Sequence, residues 1–163
     1  MKILIVTTGG TIDKVYFDAH STYEIGEPHV PEILAASHVA ADVVVVSLLR
    51  KDSLELTDED RALIRRTVQE HERTRVIVTH GTDTMVKTGR ALEGIPGKVI
   101  VLTGSLSPAR FHNSDAVFNV GMAMAAVQAL PPGVYLTMNG RIFSPRRVRK
   151  NRELNRFEEI PGD

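Results

Sequence analysis

The stretch Thr7-Thr8-Gly9-Gly10-Thr11-Ile12-Asp13 decides the fold, because it closes the first apolar run of the chain. That run, Ile3-Leu4-Ile5-Val6, is rich in β-branched residues and is followed by glycines, which is typical of a strand buried on both faces. The two glycines allow a sharp turn and leave N–H groups free to face a ligand. We therefore expect Gly10 and Thr11 to lie at the carboxyl end of the strand, where open α/β sheets bind ligands.

A second apolar run, residues 75–79, ends in a turn of the same kind, His80-Gly81-Thr82-Asp83-Thr84. Parallel strands end at one edge of their sheet, so the two turns are predicted to lie on that edge. The sequence thus predicts that the hydroxyl groups of Thr11 and Thr82 face one pocket.

Strands and helices alternate along the rest of the chain. This alternation predicts the α/β class, as a three-layer α/β/α sandwich with a largely parallel sheet of five strands or slightly more, flavodoxin- or Rossmann-like. The length of 163 residues predicts one domain, residues 1–163. Residues 10–28 are expected to form a lid or binding loop, with a possible hairpin near residues 22–25. The predicted strands are 2–8, 42–48, 75–79, 98–103 and 134–138, and the predicted helices are 31–37, 58–72, 83–92 and 114–130.

Composition excludes several function classes. The formal net charge is zero, and glutamates interrupt the basic segment after Asn139, which argues against nucleic acid or an anionic membrane as partner. The absence of cysteine excludes disulfides and thiolate chemistry. Four strongly apolar residues before Thr7 are too few for a secretion signal, so a cytoplasmic location is expected. The histidines and acids form no metal-binding pattern and no nucleotide motif is present, so no metal or cofactor is predicted.

The residues at the two turns suit amide hydrolysis, which needs a nucleophile, a base and donors for the oxyanion. A threonine hydroxyl is weak at its ordinary pKa, so a partner must take its proton. Asp83 is placed to accept a substrate ammonium group. Ser53, in the loop after the second strand, is placed to donate to a carboxylate, together with backbone N–H groups near Gly81 and Thr82.

Thr-Gly-Gly-Thr-Ile near the start and His-Gly-Thr-Asp-Thr-Met from His80 resemble the bacterial-type L-asparaginases. The resemblance covers nearly the whole chain and corresponds to the larger, N-terminal domain of those enzymes. Their smaller C-terminal domain has no counterpart in these residues. The resemblance implies hydrolysis of L-asparagine to L-aspartate and ammonia through an acyl-threonine, without a cofactor. It also implies a homo-oligomer, for which a dimer is our expectation.

The resemblance also implies catalytic roles for five residues. Thr11 is a nucleophile and Tyr16 is its partner in the loop. Thr82 and Asp83 act with a later lysine, which Lys150 matches, and this lysine lowers the pKa of Thr82 or relays its proton. Either threonine is chemically able to attack first, and we favour Thr11.

One position departs from the family pattern. The family carries a Ser-Gln pair in the loop after the second strand, whereas this chain has Ser53-Leu54. A substrate contact is then expected to be missing. Two alternatives therefore stay open: a non-catalytic module that binds a small amino acid, and a hydrolase of another small amide such as glutamine.

Overall fold

The computed structural model describes residues 1–160 and arranges them around one large sheet with helices on both faces. The strands of these residues are β1 (Lys2–Gly9), β2 (Lys14–Phe17), β3 (Thr22–Ile25), β4 (Asp42–Lys51), β5 (Arg75–Thr79), β6 (Val99–Thr103), β7 (Gly133–Met138), β8 (Arg141–Phe143), β9 (Val148–Asn151) and β10 (Arg156–Glu159). The helices are α1 (Val30–Ala36), α2 (Asp58–Glu70), α3 (Met85–Leu92) and α4 (Ala116–Ala129). Single 3-10 turns cover Thr11–Asp13, Asp18–His20 and Ser53–Glu55.

The large sheet has the order β4-β1-β5-β6-β7-β8. All its pairs are parallel except β7–β8, which is antiparallel. Counted along the chain, the five parallel strands stand in the order 2-1-3-4-5, which is the flavodoxin-like order. The direction of winding reverses between β1 and β5, and such a switch point leaves a crevice beyond the carboxyl ends of the two strands. The predicted fold class is confirmed, and both threonine turns follow the two strands at that crevice.

Alternate residues of the buried strands pack against opposite helix layers. Leu4 and Val6 of β1 face α2 and α3, in a core that contains Ile64 and Met85. Ile3 and Ile5 face the other side, where α1 and α4 supply a second core. The central strands carry apolar residues on both faces because helices cover both faces of the sheet.

Two segments are more ordered than the sequence predicts. Strands β2 and β3 pair as an antiparallel hairpin within the expected lid, so the hairpin predicted near residues 22–25 is confirmed and extended. The basic segment after Asn139 is not a plain tail. It forms β8 and the β9–β10 hairpin, and buries Val148 and Phe157 in the core. Its arginines pair within the chain, for example Arg141 with Glu159 at 2.9 Å.

Helices α2 and α3 begin close to the two turns that follow β4 and β5. Thr57 and Asp60 form a reciprocal capping box at the start of α2. Helix α3 begins at Met85, two residues later than predicted, so Asp83 stays in the turn with Thr82. Across residues 1–160, no helix has the length and apolar character needed to cross a bilayer.

Candidate active site

The two threonine turns are pressed against each other at the crevice. Gly10 has a φ of +88°, and a Cβ placed on it would lie 2.4 Å from the backbone nitrogen of Gly81. A Cβ on Gly81 would in turn lie 2.7 Å from Cβ of Ser53. Glycine at both positions therefore permits three segments to meet: the turn after β1, the turn after β5 and the turn after β4.

The backbone of Gly10 corrects one expectation. Its N–H donates to the carbonyl of Lys51 at 3.0 Å, so this group is not free to face a ligand. Gly10 was expected to bind substrate through such a group. The structure instead gives it the role of allowing the close approach of the two turns.

Lys150 joins the Thr82 turn from the far end of the chain. Its Nζ donates to Thr82 Oγ1 at 2.8 Å and to Asp83 Oδ1 at 2.9 Å. Lys150 lies on β9, which is paired with β10, so the hairpin fixes the position of the ammonium group. Arg152 adds a weaker contact, with Nε 3.7 Å from Asp83 Oδ1. A cation at this distance favours negative charge on a neighbouring oxygen.

Thr11 lines a cavity of about 340 Å³. Thr82 is buried and does not line it, so the expectation that both hydroxyl groups face one pocket remains a prediction. The other residues of the wall are Lys14, Tyr23, Leu106, Ser107, Pro108 and Phe111. The cavity thus combines the hydroxyl residues Thr11 and Ser107, one phenol and one ammonium group with the apolar residues of its wall.

Tyr23, rather than Tyr16, shares this cavity with Thr11. The two tyrosines are opposite each other in the β2–β3 hairpin, and their rings meet edge to face with centroids 5.3 Å apart. Tyr23 also contacts Phe111, with centroids 6.0 Å apart. The family resemblance implied Tyr16, five residues after Thr11, as the loop partner, and that role stays a prediction. The hairpin register pairs the two rings and so does not distinguish them; only the lining of the cavity points to Tyr23.

The wall opposite the hairpin is held by Asp115. Its carboxylate accepts hydrogen bonds from the backbone N–H of Leu106 at 3.0 Å and of Ser107 at 3.2 Å. Asn119 Nδ2 also donates to it at 2.8 Å. These bonds fix the loop after β6 and hence the shape of the cavity.

Lys14 and Asp52 form an ion pair beside Thr11, with Nζ 3.1 Å from Oδ2. Partial burial raises the pKa of Asp52, but the N–H of Leu54 and the Lys14 ammonium outweigh it and hold that pKa below its usual value. A second cavity, of about 500 Å³, adjoins this pair and includes Tyr23 and Leu54. Leu54, which stands where the family has glutamine, is 64% exposed and presents an apolar side chain there.

Asp13 anchors the base of the hairpin. Its side chain is 3% exposed and accepts the N–H of His29 at 2.9 Å, while its carbonyl accepts the N–H of Gly26 at 2.8 Å. Burial raises the pKa of Asp13 to about 6, although the His29 bond and two nearby arginines oppose the shift. Asp13 therefore holds both ends of the hairpin that carries Tyr23, because it directly precedes β2 and its carbonyl binds the residue that follows β3. Within the described residues, no three histidine, aspartate or glutamate side chains are grouped as metal ligands.

Comparison with known proteins agrees with this architecture. The chain is 31% identical to the L-asparaginase of Thermococcus kodakarensis, over 98% of this chain and 51% of that protein. It is 30% identical to the glutaminase-asparaginase of Acinetobacter glutaminasificans, over 91% of this chain and 49% of that protein. A solved structure, the thermostable L-asparaginase from Thermococcus kodakarensis, superposes with a TM-score of 0.86 at 32% identity and covers 98% of this chain and 51% of its own. The chain thus spans about half the length of these relatives. The family model described as Asparaginase, N-terminal, matches residues 2–160, and the chain belongs to the asparaginase family.

Proposed function

We propose that this chain hydrolyses the side-chain amide of L-asparagine to L-aspartate and ammonia through a threonine ester. Membership of the asparaginase family and the names of the relatives support the reaction class. The observation that carries the proposal is the contact of Lys150 with Thr82 and Asp83, directly beside the Thr11 turn. The chain spans about half of its relatives, so the activity of the whole protein is part of the proposal.

In the proposed reaction, Thr11 Oγ1 attacks the amide carbon and gives its proton to a base. The tetrahedral intermediate then collapses, the carbon–nitrogen bond breaks, and the nitrogen leaves as ammonia after receiving that proton. Water attacks the resulting ester, which releases aspartate and restores the hydroxyl group. Thr82, Asp83 and Lys150 are proposed to handle the proton or the water, because the Lys150 ammonium favours negative charge on the Thr82 oxygen.

The partner of Thr11 is proposed to be Tyr23, because both line the same cavity. Tyr16 remains the partner that the resemblance implies. Tyr23→Phe and Tyr16→Phe form a matched pair, since each removes one hydroxyl group from the same aromatic contact. We expect Tyr23→Phe to lower kcat for ammonia release by about 100-fold, and Tyr16→Phe to lower it by less than about threefold. A larger loss of kcat in Tyr16→Phe than in Tyr23→Phe would assign the role to Tyr16.

Substrate recognition is proposed to use Ser53, Gly81 and Asp83, which surround the Thr82 turn. Leu54 offers no hydrogen bond at the position of the family's glutamine, and this favours two further candidates. One is a different small amide, such as glutamine, and the other is a binding module without turnover. Calorimetry and an ammonia assay on the same sample distinguish them, because binding without ammonia release would favour the module.

Ammonia release from asparagine, glutamine and a few simple amides tests the proposal. We expect Thr11→Ala to abolish ammonia release and Thr82→Val to abolish steady-state turnover after at most one ammonia per site. Mass spectrometry of Thr82→Val treated with asparagine should then detect an aspartyl ester on Thr11. Lys87→Met is a control, because Lys87 is an exposed lysine on α3 that pairs with Asp58. Release by Thr11→Ala at the wild-type rate would refute the threonine ester.

A homo-oligomer, with a dimer as the expected form, is also proposed from the family resemblance. A cytoplasmic location is proposed as well, supported by the name of one structural relative, the probable cytoplasmic L-asparaginase from Campylobacter jejuni. Sedimentation velocity measures the first and cell fractionation measures the second. A monomer at all concentrations, or recovery outside the cytoplasm, would contradict them.

A further inference from the structure

Arg61 is a buried arginine that the proposed reaction does not use. It lies in the first turn of α2 and is 4% exposed. Its Nη1 donates to the carbonyl groups of Leu56 at 2.9 Å and Thr57 at 3.1 Å, and contacts Asp58 Oδ1 at 3.3 Å. Its other two nitrogens donate to hydroxyl groups on the turn and helix that follow β5. All three nitrogens of a buried cation are thus engaged, as burial of the charge requires.

One branch leads from Arg61 to the Thr82 turn through His80. Arg61 Nε donates to Thr88 Oγ1 at 3.2 Å, and Thr88 Oγ1 lies 2.7 Å from His80 Nε2. His80 Nδ1 lies 2.6 Å from the carbonyl oxygen of Gly81. A carbonyl only accepts, so Nδ1 carries the hydrogen and, in a neutral ring, Nε2 accepts from the Thr88 hydroxyl. Every bond in the branch therefore points the same way, from the guanidinium to the peptide that precedes Thr82.

The imidazole is held neutral by its surroundings. Burial lowers the pKa of His80 to about 4, the Gly81 bond opposes this shift, and the Arg61 charge adds to it. The ring is therefore neutral at neutral pH, and the Gly81 carbonyl places its one hydrogen on Nδ1.

A second branch leads from Arg61 to the Ser53 turn. Nη2 donates to Thr84 Oγ1 at 3.1 Å, and Thr84 Oγ1 donates to the carbonyl of Ser53 at 2.7 Å. The bond from Nη1 to Leu56 holds the other end of the same turn. The two branches share one rigid guanidinium, so the positions of the Ser53 and Thr82 turns depend on each other through it.

We infer that Arg61 is a positioning residue, which sets the Ser53 turn against the Thr82 turn through Thr84 on one branch and through Thr88 and His80 on the other. The inference rests on the proposed amidohydrolase function where activity is the readout. In that reaction both turns take part in substrate recognition, but only the Thr82 turn carries groups that handle the proton or the water. Loss of the His80 branch is therefore expected to act mainly on kcat, and loss of the Thr84 branch mainly on KM.

The first experiment measures kcat and KM for ammonia release. We expect Thr88→Val to lower kcat about tenfold with little change in KM, and Thr84→Val to raise KM about tenfold with little change in kcat. Arg61→Met is expected to change both, and millimolar guanidinium to restore part of the activity of Arg61→Ala. Arg65→Met is the matched control, because Arg65 lies one turn further along α2 and donates to Ala91 and Glu93, away from the site.

The second experiment measures hydrogen exchange and does not depend on activity. We expect the amides of residues 53–56 and 81–84 to exchange faster in Arg61→Met than in Arg65→Met, at conditions where both proteins are folded. If wild-type protein releases no ammonia, the proposed function fails, and exchange alone decides the role of Arg61. Equal exchange in the two variants, or equal kinetics in an active protein, would overturn the inference.

Discussion

Replacing Gly10 with alanine tests whether contact between the two turns sets the site. A Cβ on Gly10 would lie 2.4 Å from the nitrogen and 2.5 Å from Cα of Gly81, and both are backbone atoms. Ordinary van der Waals contact begins at 3.4 Å, so the Thr11 and Thr82 turns must separate by about 1 Å. The φ of +88° at Gly10 adds strain, because an L side chain is disfavoured there.

The expected magnitudes follow from these two effects. Strain at positive φ costs about 1–2 kcal/mol, and the backbone clash raises the loss in free energy of unfolding to about 2–4 kcal/mol. A displacement of about 1 Å in a catalytic site lowers the rate by about 100-fold. We therefore expect Gly10→Ala to lower kcat/KM for ammonia release about 100-fold at temperatures where it is folded.

Gly94→Ala separates strain from clash. Gly94 has a φ of +79°, and a Cβ on it meets no atom within 4 Å. The free energy of unfolding of this variant, measured by urea denaturation, is expected to be about 1–2 kcal/mol lower, and its activity is expected to be unchanged. If Gly10→Ala were as active as Gly94→Ala, the contact of the two turns would not be what positions Thr11 and Thr82.

Three further predictions concern titratable groups in or near the site. Lys150→Met removes the ammonium from Thr82 and should lower kcat by about 100- to 10,000-fold, and a loss below about threefold in a steady-state assay would exclude a catalytic lysine. The pKa of Asp13 is raised from 3.8 to about 6, so the folded state loses stability as the pH rises through about 6. Asp13→Asn should therefore raise the free energy of unfolding by about 2–3 kcal/mol at pH 7.5 and by almost nothing at pH 4, as measured by urea titration. An equal gain at both pH values would contradict this. The pKa of His80 is lowered from 6.5 to about 4, so the unfolded state binds more protons between these values. In Asp13→Asn, stability should then fall as the pH drops from 6.5 to 4, and a flat profile would show that His80 is not buried neutral.

Prediction from the sequence succeeded where the information is local. The strand at residues 75–79 agrees residue for residue, because five consecutive residues suited to a strand stand between a charged segment and a glycine turn. The predicted threonine turns also lie where expected, since parallel strands that follow one another must end on one edge. The strands after Asn139 were not predicted, because charged residues in this segment outnumber the few apolar residues that reach the core.

The sequence did not reveal two residues whose roles depend on contacts between separate segments of the chain. Arg61 follows three acidic residues at a helix start and has the sequence context of a surface residue, yet α3 covers it and gives it hydroxyl partners. Tyr23 was not considered as the partner of Thr11, because only the folded chain shows that its ring shares the cavity of Thr11.

The sequence by itself determined the layers of this protein, the order of its elements and the two glycine–threonine turns, because apolar periodicity and backbone freedom act over a few residues. The tertiary structure alone decided that the Thr11 and Thr82 turns touch and that one guanidinium ties the Ser53 turn to the Thr82 turn. It also supplied the 2.8 Å contact of the Lys150 ammonium with Thr82, where the sequence offered only a family resemblance. Such contacts depend on strand order and hairpin register, which are set by the packing of the whole chain.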